Sequence, residues 1–295
     1  MSDARQFPSS GGTPDWAHSF GSVAEAYDRG RPTYPREAAA WLCGDDPVTV
    51  LELGAGTGKL TEQLVALGHD VHATDPDAAM LEVLRGRLPE VRTTVAAAEE
   101  IPAPDRSVDV VVCAQAFHWF DLDRALPEIA RVLKTGGRLA LVWNQRDERI
   151  PWVRRLGRLI GTQDQLREPA DPLVQSALFG FVEDATFRFW QTVDRVSIQD
   201  LVLSRSNVAV LDAEARAAKL DEVLAFYDDY GRGMDGMQLP YAASCFRAVV
   251  VEPPHAADEE ESEAEPDAAP RESAPPATEE ISDGTDTDML LIDFR

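Results

Sequence analysis

A chain of 295 residues, of which 44% are hydrophobic and 27% charged, can bury the core of one large domain or of two small ones. Its formal net charge of -24 argues against a nucleic-acid partner, because affinity for phosphates comes mainly from lysine and arginine. Three widely spaced cysteines, Cys43, Cys113 and Cys245, have apolar neighbours, which predicts buried free thiols in a reducing compartment. No apolar stretch reaches the length of a signal-peptide core or the ~20 residues of a membrane span, so we expect a cytoplasmic protein with no membrane partner.

Charge and hydrophobic periodicity divide the chain into three predicted parts. Residues 1–15 form a flexible N-terminus, residues 16–251 form one folded domain, and residues 252–295 form a tail. The tail carries fifteen acidic residues against two arginines and almost no residues able to pack, so we predict that it is disordered. The domain is predicted to contain a helical cap, a cofactor-binding core, and a group of substrate-side helices and edge strands, at residues 16–46, 47–144 and 145–251.

The core alternates between strands and helices. Its predicted strands are VTVLELG, DVHATD, RTTVAA, SVDVVVCAQA and RLALVWN. Its predicted helices are TGKLTEQLVALG, which Gly68 closes, DAAMLEVLRGRLP, and DRALPEIARVLKTGG, which ends in a glycine cap. Such alternation predicts βαβ units and hence an α/β fold with a Rossmann-like, doubly wound, mostly parallel sheet. Beyond Asn144, the strand-like segments ATFRFWQTVDRV and MQLPYAASCFRAVVV are predicted to pair antiparallel at the far edge of this sheet.

The turn ELGAGTG at residues 52–58 carries the ligand prediction. It lacks the GxxxxGK[ST] pattern of a phosphate P-loop, and the third glycine of a dinucleotide fingerprint would fall at Lys59. Its glycines let the backbone approach a ligand closely, while Glu52 places a carboxylate that attracts an ammonium group. Asp75 ends the second strand 21 residues after Gly54, the spacing at which a carboxylate binds both ribose hydroxyls. The turn and Asp75 therefore predict a ligand that has a ribose and a cationic amino-acid end but no phosphate. S-adenosylmethionine has these features.

The chain resembles the class I S-adenosylmethionine-dependent methyltransferases in the segments VLELGAGTGKLTEQL, HATDPDAAML, AAAEEIPAPDRSVDVVVCAQAFHWFD and ALPEIARVLKTGGRLALVWN. It is most similar to the methyltransferase type 11 group, which includes proteins similar to trans-aconitate methyltransferase. The resemblance implies methyl transfer from S-adenosylmethionine to a small-molecule acceptor, with a carboxylate as one candidate. The cofactor-binding residues that it implies, together with the turn, are Tyr27, Glu52, Gly54, Ala55, Gly56, Gly58, Asp75, Pro76, Ala98, Glu99, Gln115 and Ala116.

Candidates for the acceptor side are cationic, aromatic or basic side chains near the resembling motifs. A carboxylate acceptor needs cationic partners, and a phenol or an amine would benefit from a general base near neutrality. These candidates are Arg31, Arg146 and Arg205 as cations, Tyr34 as a residue of the cap, and His118 as the general base and an acceptor contact. Each has a structural alternative: the arginines can lie on the surface, Tyr34 can pack the cap onto the sheet, and His118 can pack at the start of the next helix. Likewise, Asp75 can cap the helix that follows it.

Two other functions stay open at this stage. A non-catalytic protein could keep the cofactor pocket and bind a protein partner through the acidic tail, whose apolar end is MLLIDFR. A nicotinamide oxidoreductase is disfavoured by Lys59, which stands where the dinucleotide fingerprint has glycine. No residue pattern predicts a metal site.

Overall fold

The computed structural model describes residues 28–161, 170–205, 208, 211–230 and 236–251. In this part of the chain, seven strands form one sheet: β1 Thr49–Leu53, β2 Asp70–Asp75, β3 Arg92–Val95, β4 Val108–Ala114, β5 Leu133–Arg146, β6 Glu183–Val193 and β7 Met237–Val249. The helices with defined bounds are α1 Arg36–Cys43, α2 Thr61–Ala66, α3 Ala78–Arg87, α4 Leu122–Val132, α5 Pro151–Ile160, α6 Asp171–Val174, α7 Ser197–Leu203 and α8 Ala213–Tyr230.

The strand order across the sheet is β3-β2-β1-β4-β5-β7-β6. The first five strands in this order are parallel to one another, and β7 is antiparallel to both β5 and β6. The structure therefore confirms the predicted doubly wound sheet with an antiparallel edge. The chain moves outward in opposite directions from β1 and β4, and a crevice forms at the carboxyl ends of the strands at such a switch point.

Both faces of the sheet are covered, because successive residues of a strand point to opposite sides. Along β4, Val110 and Val112 belong to the buried cluster formed with α1 and α2, whereas Val111 and Cys113 belong to the cluster formed with α4. A third cluster packs α5, α7 and α8 against the beginning of β7. The core thus supports the central strand ends from both sides, which fixes the turns that leave them.

One predicted boundary is wrong. The helix expected to end at a glycine cap stops at Val132, and Leu133 already pairs with Val108 of β4. The register between β4 and β5 then shifts, so Gly136, with a φ of 75°, lies in an irregular part of a strand. A long-range strand pairing therefore outweighs the local glycine signal. Gly68, with a φ of 93°, does follow the end of α2 as predicted.

Several predictions fall on residues that the structure does not describe. These are the flexible N-terminus at residues 1–15, the part of the cap before Asp28 including Tyr27, and the tail at residues 252–295. The three cysteines are described, and all of them are buried free thiols, as predicted. Within the described ranges, no helix is both long enough and apolar enough to cross a membrane.

Candidate functional site

A cleft lies where β1 and β4 end, at the switch point of the sheet. Its walls come from three short pieces of chain: the segment before α1, the turn after β1, and the end of β4. The lining residues are Arg31, Pro32, Tyr34, Glu52, Gly54, Ala55, Gly56, Thr57, Lys59, Leu60, Ala114 and Gln115. The cleft therefore brings together predicted cofactor residues and two of the predicted acceptor residues.

The glycine turn has positive φ angles, which residues with a side chain rarely adopt. Gly54 has a φ of 68°, and a Cβ atom there would lie 2.5 Å from the Cβ of Ala116. Gly56 has a φ of 56°, but a Cβ atom there would meet no atom within 4 Å. Gly54 is therefore required by the packing of β1 against the end of β4. Gly56 instead presents its backbone to open space, where a ligand can approach it closely.

Glu52 supplies a buried carboxylate to the cleft. The residue is 1% exposed, and its Oε2 accepts a hydrogen bond of 2.6 Å from the Thr61 hydroxyl. Burial raises the pKa of Glu52, and the nearby charge of Asp75 adds to this effect. The hydrogen bond from Thr61 lowers the pKa, and the net result is a pKa of about 8. Neither Oε1 of Glu52 nor the buried hydroxyl of Thr57 has a hydrogen-bond partner in the described part of the chain. Buried polar atoms normally have partners, so these two fit a ligand with an ammonium group and other polar atoms.

Asp75 ties the glycine turn to the second strand. Its Oδ2 accepts a hydrogen bond of 2.8 Å from the Gly56 amide, and its Oδ1 accepts one of 2.9 Å from the Asp77 amide. Burial raises the pKa of Asp75 to about 6. The residue that caps α3 is Asp77, whose Oδ1 accepts a hydrogen bond of 2.8 Å from the Ala79 amide. A carboxylate offers about four lone pairs, so Asp75 can hold the turn and still accept hydrogen bonds from a ribose.

Gln115 closes the cleft at the end of β4. Its φ of 61° is unusual for a residue other than glycine, and such strain is often held at functional sites. Its Nε2 donates a hydrogen bond of 3.1 Å to the Asn144 carbonyl, and its amide donates one of 3.0 Å to the Val142 carbonyl. The ends of β4 and β5 are thereby joined beside the cleft.

The remaining predicted cofactor residues are not among the residues that line the cleft. Pro76 is exposed, Ala98 is buried, and Gly58 packs against α3. Glu99 accepts a hydrogen bond of 2.8 Å at its Oε1 from the Asp121 amide, at the N-terminus of α4. Their roles toward a cofactor stay predictions.

The predicted acceptor residues separate into two groups. Arg31 and Tyr34 line the cleft, and Nη2 of Arg31 donates a hydrogen bond of 3.1 Å to the Ser204 carbonyl. Arg146 and Arg205 are buried and are not among the lining residues. His118 is exposed and packs on Trp119, with ring centroids 4.2 Å apart, and it also lies outside the lining. The general-base role of His118 stays a prediction.

Residues 28–34, which we call the strap, connect the glycine turn to the C-terminal helices. At one end, Asp28 forms ion pairs with Lys59 and Arg87, at 3.3 and 2.7 Å. Further along, Arg29 forms an ion pair of 2.9 Å with Asp200 of α7. Thr57 and Lys59 also line the cleft and were not predicted as site residues, although they lie in the glycine turn and directly after it.

We expect the substitution Gly54→Ala to destabilise the fold by about 2 kcal/mol. A left-handed backbone costs a residue with a Cβ atom roughly 1–2 kcal/mol, and the added methyl group would also overlap Ala116. Urea unfolding measures the loss. Gly136→Ala, at a φ of 75° in open space, measures the backbone cost alone, and Gly86→Ala in α3 should stabilise the fold by up to about 1 kcal/mol. Equal effects at positions 54 and 136 would contradict the predicted overlap.

Known proteins are similar to this chain in sequence and in fold. A family model described as a methyltransferase domain matches residues 51–141. A methyltransferase of Mycobacterium tuberculosis, itself uncharacterized, is 46% identical over 240 residues, which cover 80% of this chain and 97% of the relative. The malonyl acyl-carrier-protein O-methyltransferase of Methylococcus capsulatus is 40% identical over 134 residues, which cover 41% of this chain and 48% of that protein. The solved structure of an Anaeromyxobacter dehalogenans protein, assigned as a type II methyltransferase, matches with a TM-score of 0.57 and 27% identity, over 74% of this chain and 97% of that one.

Proposed function

Because the chain belongs to the class I S-adenosylmethionine-dependent methyltransferases, we propose that this transferase methylates a carboxylate oxygen of a small-molecule acid. The observation that supports a carboxylate is the charge of the cleft. Glu52 and Arg31 line the same cleft, so one wall offers a carboxyl group that would ionise beside a cation, and another offers a guanidinium. A cationic cofactor and an anionic acceptor would each find the opposite charge.

The cofactor would be held by the turn after β1 and by the end of β2. Glu52 would bind the ammonium group through Oε1, and Thr57 would offer its hydroxyl to the same part of the ligand. Gly56 would let the ligand lie against the backbone, and Asp75 would accept hydrogen bonds from the ribose hydroxyls. Each contact uses an atom or a space that the described residues leave available.

When bound, S-adenosylmethionine supplies an activated methyl group, and the acceptor oxygen bonds to that carbon as the carbon–sulfur bond breaks, leaving S-adenosylhomocysteine and a methyl ester. Arg31 would orient the carboxylate and keep it close to the cofactor turn. Tyr34 and the other residues of the strap would exclude water from the cleft. A carboxylate is ionised at neutral pH and needs no general base, which agrees with the exposed position of His118.

The similarity to the Methylococcus capsulatus protein also supports a carboxylate. That relative is named as an O-methyltransferase of malonyl acyl-carrier protein, and a malonyl group carries a carboxylate. The relative shares 134 residues with this chain, so the similarity supports the chemical group rather than the whole substrate.

A panel of acids, phenols and amines tests the acceptor class. We expect purified protein and S-adenosylmethionine to form S-adenosylhomocysteine with at least one carboxylic acid, whose mass rises by one methyl group. Methylation of a carboxylate releases no proton, whereas methylation of a phenol or of an ammonium group does. The pH of a weakly buffered reaction should therefore fall with phenols and amines and stay constant with carboxylates. Turnover with phenols or amines alone would contradict the proposal. Cofactor binding without turnover on any acceptor would favour a non-catalytic protein that acts through its tail.

The cytoplasmic location and a protein partner for the tail at residues 252–295 stay predictions from the sequence.

A further inference from the structure

The last strand of the sheet, β6, has an open edge. It pairs with β7 on one side, and no strand within the described ranges pairs with its other side. The strand is long and regular, because it runs from Glu183 to Val193, contains no proline and keeps one register with β7 throughout. Edge strands that avoid pairing with other chains are commonly short, bulged or interrupted by proline, so β6 lacks these protections.

Hydrogen bonds near the end of β7 show which residues of β6 face the open edge. The Val250 amide donates to the Gly137 carbonyl of β5, whereas the Val249 carbonyl accepts from the Gly180 amide on the β6 side. Backbone groups alternate in direction along a strand, and the register of β7 with both neighbours is unbroken, so its odd-numbered residues face β6. They pair with odd-numbered residues of β6. The even-numbered residues of β6 therefore point their amides and carbonyls at the open edge.

The even-numbered residues of β6 also form a row of exposed side chains on one face of the sheet. They are Asp184, Thr186, Arg188, Trp190 and Thr192. Two members of the row are charged, Asp184 and Arg188, and neither forms an ion pair with another residue in the part of the chain that the structure describes. Four residues along one strand separate them by about 13 Å, which is too far for them to pair with each other.

The acid nearest to Arg188 already has a partner. Asp147 feels the charge of Arg188, but the Arg149 guanidinium has the larger effect in lowering the pKa of this carboxyl group. Both oxygens of Asp147 accept hydrogen bonds from Arg149. Arg188 is therefore available for an acid outside its own chain.

A second copy of this chain presents the same two charges in the opposite order. When two copies of β6 pair antiparallel about a two-fold axis at Thr186, Asp184 of each copy lies opposite Arg188 of the other. These residues point their backbone groups at the open edge, so they form hydrogen-bonded pairs, whose Cα atoms are about 5.5 Å apart. An axis at Asp184 or at Arg188 would place like charges opposite each other, and an axis at residue 185 or 187 would pair no opposite charges.

We propose that the protein forms a two-fold dimer through β6, in which Asp184 and Arg188 of each copy pair with Arg188 and Asp184 of the other. In this register the two strands overlap over residues 183–189. An overlap of this length makes a smaller interface than that of typical stable complexes, so the association should depend on concentration. The pairing joins two seven-stranded sheets into one and removes the open edge of β6 in both copies.

Analytical ultracentrifugation of the full chain, at about 1–200 μM protein and about 0.15 M salt, tests the proposal. We expect the wild type to change from monomer to dimer within this range. Arg188→Asp makes the charges of the row wholly acidic and Asp184→Arg makes them wholly basic, so each variant alone should associate about tenfold more weakly. An equimolar mixture of the two variants should form a dimer about as readily as the wild type, because both charged pairs are then opposite in sign.

Arg92→Asp is the matched control, because it reverses an exposed charge on β3, the strand at the other edge of the sheet. It should associate as the wild type does. A wild type that stays monomeric over the whole range would overturn the proposal and leave the β6 edge to another segment of this chain or to a different protein. A dimer that Arg188→Asp does not weaken would overturn it as well, as would two weakened variants that fail to pair when mixed.

Discussion

Replacing Asp75 by alanine is expected to weaken S-adenosylmethionine binding by about 1.5–3 kcal/mol, or roughly 10- to 150-fold. Two losses add together in this variant. The ribose would lose hydrogen bonds to a charged group, and the Gly56 amide would lose the acceptor that holds it at 2.8 Å. The glycine turn would then need to be ordered by the ligand itself. Calorimetric titration with the cofactor measures the change.

Asp77→Ala is the matched control for this experiment. It removes a carboxylate two residues away that caps α3, so it should cost about 1 kcal/mol of folding stability. Its affinity for the cofactor should stay within about twofold of the wild type. If Asp75→Ala also keeps wild-type affinity, Asp75 is not a cofactor ligand and its carboxylate serves only the turn.

Glu52 is expected to make the ligand-free protein less stable as the pH rises. Its pKa is about 8 in the folded protein and near 4.5 in an unfolded chain, so between these values the folded state binds more protons. The free energy of unfolding therefore falls with rising pH across this window and is constant, as far as Glu52 is concerned, below and above it. The expected loss is of the order of 3 kcal/mol, the cost of ionising a buried carboxyl group. Urea unfolding at pH 5 and pH 8.5 measures it.

Glu52→Gln isolates this contribution, because glutamine has nearly the same shape and does not ionise. Asp75, whose pKa is raised to about 6, and the acidic charge of the whole chain add losses of the same sign in both proteins. The relevant quantity is therefore the slope of the free energy of unfolding against pH, compared between the wild type and Glu52→Gln. Identical slopes would mean that Glu52 is ionised in the empty cleft.

Cofactor binding should deprotonate Glu52. An ammonium group beside the carboxylate stabilises its charged form, so binding below pH 8 should release a proton and tighten as the pH rises. Calorimetry in buffers of different ionisation enthalpy detects this proton. The variant Glu52→Gln should release fewer protons and bind the cofactor more weakly.

The meeting of the glycine turn and the end of β4 in one cleft was predictable because its signals are local. The turn at residues 52–58 lies at the end of the first predicted strand and Asp75 ends the second, and the carboxyl ends of neighbouring parallel strands meet at one edge of the sheet. The spacing between Gly54 and Asp75 then indicates a ribose without any knowledge of tertiary contacts. The confirmed parallel core and antiparallel edge follow from the same periodicity.

The acceptor half was only partly predictable, because its contacts depend on distant pairings. Arg146 and Tyr241 are 95 residues apart in the chain and become neighbours through the register of β5 and β7. The incorrect helix end at Gly136 has the same origin, since the pairing of Leu133 with Val108 decides it. Local patterns report the conformation of a segment, and they carry little information about which segment lies beside it.

The position of β7 has a consequence for biosynthesis. This strand lies between β5 and β6, yet the ribosome makes it after both of them. Until residues 237–249 emerge, β6 cannot join the sheet, and β5 keeps an unpaired edge that can capture another chain. A nascent polypeptide can therefore form the glycine turn at residues 52–58 well before its sheet is complete. Premature termination in that interval would yield a product whose β5 edge stays open to pairing with the strands of other chains.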